Sequence, residues 1–113
     1  GDTKGGSMKD HFNGLTPPQA ERLALLAEEC GEVVQAVAKI LRHGYESFHP
    51  DGGPPNRSLL EIEIGHVEHA IFRMHEAEDT DPLHVLDSVE AKAKKIGRYL
   101  HHQADAATPG DES

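Results

Sequence analysis

The chain has 113 residues, the size of one small domain. Its 20 Asp and Glu against 11 Lys and Arg leave a net charge of −9 with neutral His. That balance argues against a nucleic-acid polymer as partner, since phosphate backbones are met by clustered Lys and Arg. Only 36% of residues are hydrophobic and none is Trp, so the core is thin and association between copies would thicken it. No run of about eighteen apolar residues offers a membrane span. One Cys allows no intrachain disulfide, and the N-terminus lacks a signal-peptide core. Both features fit a reducing cytoplasm.

Residues 1–13 read as a flexible, Gly-rich N-terminus, with a tag remnant in 1–7 and a native start at Met8. A helical domain is expected over 14–102, followed by a polar, disordered tail over 103–113. Thr16 is a suitable N-cap, Pro17 suits the first helical position, and Gln19 completes a capping box. The first helix runs from there to His43. Leu23, Leu26, Cys30, Val33, Val37, Ile40 and Leu41 form its apolar stripe, and Gly44 is its stop. Cys30 in that stripe reads as a core residue. Gly31 costs roughly 1 kcal/mol relative to Ala inside a helix, which close approach of another helix would justify. Residues 44–57 hold three Gly and three Pro and form a loop: a lid, an oligomer contact or plain surface. Ser58 with Glu61 predicts the capping box of a second helix, whose buried stripe is Leu60, Ile64, Val67, Ile71 and Met74. Asp81 and Pro82 start a third helix, with Leu83, Leu86, Val89, Ala93, Ile96 and Leu100 as its apolar face.

The chemistry sits on the first two helices. Glu28, Glu29 and Glu32 fall within five residues, at spacings where like charges repel on a helix. A divalent cation would neutralise them, and hard cations such as Mg²⁺ take carboxylate oxygens. A solvated acidic stripe is the alternative. Glu63 and His66 form a second cluster. At about 100° per residue, Glu29 and Glu32 lie roughly 70° to 130° to one side of the first stripe. Glu63 and His66 share that offset on the second. In an antiparallel pair packed stripe to stripe the two flanks lie on one face, so the clusters can converge at one seam. Glu61 and Glu68 fall on the opposite flank.

The pattern EExxE, a spacer, then Glu-x-x-Asp resembles the MazG-like, all-α nucleoside triphosphate pyrophosphohydrolases. The stretches LLAEECGEVVQAVAKILRHG and LLEIEIGHVEHAIFRM are similar to that family's two metal-binding helices, and the resemblance covers roughly residues 14 to 102. It implies an all-α fold: an antiparallel helical bundle of the all-α NTP pyrophosphatase type, completed by oligomerisation as a homodimer or homotetramer. It implies Mg²⁺ or Mn²⁺ as cofactor, held by Glu28, Glu29, Glu32 and Glu63. The implied reaction is hydrolysis of a nucleoside triphosphate to the monophosphate and pyrophosphate. Glu28 would hold a further ion or polarise water. His66 stands where the family has Asp. It either ligates, favouring Mn²⁺ over Mg²⁺, or bonds to a neighbouring Glu or a substrate phosphate. Lys39, seven residues after Glu32, and Lys92, Lys95 and Tyr99 on the third helix are candidate substrate contacts. Solvated lysines and helix-dipole compensation are the other reading of these. Two further classes remain: a catalytically silent relative that binds nucleotide or metal, and a helical interaction protein with an acidic surface.

Overall fold

The structure, a computed structural model, describes residues 13–103. The tag remnant, the Met8 start and the tail beyond Gln103 lie outside the described residues. All regular structure among the described residues is helical, as an all-α chain requires.

Helix α1 spans Pro17–His43. The Gln19 amide donates to Thr16 Oγ1 at 3.3 Å, and the Thr16 amide donates to Gln19 Oε1 at 2.8 Å. This reciprocal pair satisfies two donors that a helix start leaves open. At the other end the Gly44 amide donates to the Ile40 carbonyl at 2.7 Å with φ at 93°. A side chain is strained in that conformation, so the stop needs glycine. Arg42 places positive charge in the last turn, at the negative end of the helix dipole.

Helix α2 spans Asn56–Glu76, and its start corrects the sequence reading. It begins two residues before Ser58, after Pro55, with no side-chain cap. The loop backbone takes the first donors instead. The Asn56 amide donates to the Ser47 carbonyl and the Arg57 amide to the Tyr45 carbonyl, both at 2.8 Å. The Asn56 side-chain Nδ2 donates to the Gly44 carbonyl at 3.1 Å. With these bonds made, the helix start has no need of the Ser58 hydroxyl. Arg57 also pairs with Glu46 at 2.6 Å and lies over the Tyr45 ring, 4.3 Å from its centre. Residues 44–47 are therefore tied to the base of α2.

The two helices pack as an antiparallel hairpin. Partly buried residues on α1 recur at Arg22, Leu26, Glu29, Val33, Ala36 and Ile40. On α2 they recur at Asn56, Leu60, Glu63, Val67, Ala70 and Met74. Both series step by four and three, the spacing of a heptad seam. Asn56, Ala70 and Met74 are the only buried side chains among the described residues. The expected stripes are thus turned. Leu23, Cys30, Val37 and Leu41 on α1 and Ile64 on α2 are exposed. An apolar stripe of about 100° is wider than one partner helix can cover, and the hairpin buries only its contact line. Cys30 is therefore a surface residue of this chain. Nothing lies within 4 Å of a Cβ placed on Gly31, so the α2 partner does not come close there.

The open end of the hairpin is closed by Arg22 and Asp79, whose Nε and Oδ2 atoms are 2.5 Å apart, with a second bond from Nη2 to Oδ1 at 3.1 Å. The Arg22 guanidinium holds the Asp79 carboxyl below its ordinary range. A lowered pKa in the folded state stabilises above the ordinary carboxylate value and stops doing so as pH falls through the lowered one. Asp79→Asn should therefore lower the thermal midpoint at neutral pH. The gap to wild type should close in strong acid. Melting curves followed by circular dichroism at several pH values test this, and equal midpoints at neutral pH would contradict it.

A second compact unit begins at Thr80 and is described by itself. Asp81 Oδ1 accepts from the Leu83 amide at 3.0 Å, and Pro82 is the first residue of α3, Pro82–Lys95. The regular α-helix stops before Leu100: Ile96–Arg98 tighten into a 3₁₀ turn around Gly97, a poor helix former. Leu83, Leu86 and Val89 are exposed along α3.

Candidate metal centre

Four side chains meet across the hairpin. Glu29 and Glu32 come from α1, Glu63 and His66 from α2, and one donor atom of each lies within 4.8 Å of all the others. The convergence inferred from equal helical offsets is present. Its detail differs, because Glu29 and Glu63 occupy the contact line of the hairpin rather than its flank. Their side chains are only 16% and 25% exposed, against 51% for His66. His66 Nδ1 is 3.1 Å from Glu63 Oε1 and 3.8 Å from Glu29 Oε1.

Three carboxylates this close repel one another. Each pair at 4 Å costs about 1 kcal/mol in water-like surroundings and about 4 kcal/mol at an effective dielectric of 20. One imidazole offsets this in part by hydrogen bonding. A divalent cation offsets all of it. An octahedral ion with bonds of about 2.1 Å sets trans donors about 4.2 Å apart and cis donors about 3.0 Å apart. His66 Nδ1 and Glu63 Oε1, 3.1 Å apart, already stand at the cis spacing, and the four donors all lie within 4.8 Å of one another. Three carboxylate oxygens and one imidazole are a donor set that Mg²⁺ or Mn²⁺ would accept.

Glu28 is exposed and stands outside this group. Beside the group, a cavity of about 210 Å³ is lined by Glu32, Gln35, Ala36, Lys39, Asn56, Leu59 and Glu63. Lys39 therefore shares a cavity with two of the carboxylates. Lys92, Lys95 and Tyr99 belong to the second unit and are exposed there.

Comparison of the chain with protein-family models, curated proteins and solved structures found no match. The functional reading therefore stands on the geometry of the site and on the wording of its two helices.

Asn56 and Gln35 went unnoticed as site residues in the sequence. Asn56 is 7% exposed and lines the cavity beside Lys39. A partial signal existed, since Asn favours the position just before a helix, one residue from where Asn56 stands. The Ser58 and Glu61 pattern two residues on masked it. The opposite side of the hairpin carries a shallow depression of about 310 Å³, lined by Cys30, Val33, Ile64, Val67 and Glu68. One residue of helical advance separates Glu29 and Glu32 from Cys30 and Val33, and Glu63 and His66 from Ile64 and Val67. The hairpin thus has an acidic side and an apolar side.

Proposed function

We propose that this chain is a MazG-like nucleoside triphosphate pyrophosphohydrolase dependent on Mg²⁺ or Mn²⁺. The observation that carries the reading is the four-donor group of Glu29, Glu32, Glu63 and His66, open to a cavity with a lysine on its wall. The chain has no Gly-rich phosphate cradle, so a triphosphate has to be held by cations and metal. In the reaction, a water oxygen bonds to the α-phosphorus and the α–β bridging oxygen leaves with pyrophosphate.

A bound divalent ion supplies charge neutralisation on the phosphates and acidifies water. Glu29, Glu32 and Glu63 would hold it, and their partial burial limits their rotamers. Lys39 meets phosphate oxygens along the cavity. Glu28, free of the donor group and facing solvent, is assigned to a further ion or to the proton of the attacking water. The bundle is completed by a second copy, since the hairpin leaves Leu23, Cys30, Val37 and Leu41 of the α1 stripe uncovered.

The test is pyrophosphate release from a panel of ordinary and damaged nucleoside triphosphates, with Mg²⁺ and with Mn²⁺. Release with either metal supports the hydrolase. Metal binding by calorimetry without release would turn the reading to a silent, ligand-binding relative. The absence of both would leave the acidic side as surface.

His66 gives a sharper expectation. An imidazole donor suits Mn²⁺ better than Mg²⁺. Wild type should favour Mn²⁺, and His66→Asp should raise Mg²⁺-supported activity by several-fold. An unchanged ratio of the two metal activities would mean that His66 serves Glu63 and not the ion.

A further inference from the structure

A second cavity adjoins the first. It has a volume of about 400 Å³, within the range of small-ligand pockets, and Lys39, Asn56 and Leu59 line both. Its other walls include Phe48, Pro50 and Pro54 from the loop and Arg42 and His43 from the end of α1. The two cavities form one trough. It runs from the acidic group, past Lys39, to an aromatic and cationic end. Glu32 and Lys39 lie about 10 Å apart along α1.

The loop end is built rather than loose. The Asn56, Arg57 and Glu46 contacts described above fix residues 44–47, directly before Phe48. Phe48 is nevertheless 60% exposed. Asn56, at the junction, spends its Nδ2 on the Gly44 carbonyl, and its Oδ1 has no hydrogen-bond partner among the described residues. A buried acceptor without a partner is costly, and a ligand donor at the junction would satisfy it.

We propose that the loop cavity holds the nucleoside end of the substrate, with Phe48 as the face on which the base lies. This rests on the hydrolase reading and adds to it where the base goes. Every base has a flat π-face, so a ring platform binds it with little regard to sequence of ring atoms. Arg42 and Lys39 then flank the path of the phosphates toward the metal, and Asn56 Oδ1 accepts from the sugar or base at the junction. Because Phe48 is exposed, its removal leaves the hairpin contacts intact.

The experiment measures binding by calorimetry in the presence of Mn²⁺. The probes are α,β-methylene analogues of the adenine, guanine, cytosine and thymine nucleoside triphosphates, and inorganic tripolyphosphate, which has no base. The analogue that wild type binds best should bind Phe48→Ala roughly tenfold more weakly or worse. Phe48→Trp should keep the affinity, and tripolyphosphate should bind all three proteins alike. Equal analogue affinity in Phe48→Ala and wild type would overturn the assignment, while pyrophosphate release by both would leave the hydrolase reading standing. Equal losses for the analogue and tripolyphosphate would also overturn it, because the ring would then serve the phosphate end. Failure of wild type to bind any analogue or to release pyrophosphate would remove both.

Discussion

Glu29→Gln or Glu32→Gln is expected to cut metal-supported pyrophosphate release by more than about a hundredfold, since even groups one step removed from a metal cost about 10- to 100-fold when changed. Each substitution removes one of four donors that lie within 4.8 Å of one another. Stability should move the other way. Without metal, the wild-type hairpin holds three carboxylates together, and the Glu29 side chain is only 16% exposed. Replacing a charge by an amide of the same shape relieves repulsion, so the metal-free variant should melt no lower than wild type. Mn²⁺ should then raise the midpoint of wild type more than that of the variant, because an ion stabilises only the form that binds it. Glu68→Gln, on the apolar side of the hairpin, is the control and should keep both activity and metal response. Full activity of Glu29→Gln and Glu32→Gln at saturating metal would remove the site.

How much of this was legible beforehand follows from what each signal measures. Capping chemistry is local, so Thr16 with Gln19 and Asp81 with Pro82 could be read from neighbouring residues, and the structure has both. The start of α2 could not. Its first donors are met by carbonyls of Gly44, Ser47 and Tyr45, and only the folded loop brings these within reach. Helical offsets placed the acidic clusters on one side, because a fixed rotation per residue survives any packing. They did not give the rotation of each helix against its partner. That is why Cys30 is on the surface and Glu29 in the contact line. A stripe tells which residues avoid water. It does not tell whether one neighbour or two will cover them. The Phe48 cavity was beyond reach for the same reason as the helix start: it exists only once the loop folds back on Asn56.

In solution the chain is expected as a dimer or tetramer, with a mass of two or four times 12.3 kDa by light scattering at micromolar concentration. The reason is a second seam on α1. Leu23, Ala27, Cys30, Val34, Val37 and Leu41 step by four and three along the helix, and all are exposed. They lie one residue, or about 100°, from the seam that packs on α2. Val34 and Leu41 are 67% and 82% exposed, on a chain whose buried core is two apolar side chains among the described residues. Burying a Val or Leu fully stabilises by about 1.5–3 kcal/mol, so one such seam is comparable with the whole stability of a small domain. Gly31 sits between Cys30 and Val34 with open space where a side chain would be, and a second helix could come close there. Val34→Glu combined with Leu41→Glu puts two like charges into that seam. It should yield a monomer with a lower thermal midpoint and with less helix by circular dichroism. A wild-type mass of 12.3 kDa at the same concentration, with a cooperative melt, would show that the hairpin is stable alone and that the exposed seam has no partner copy.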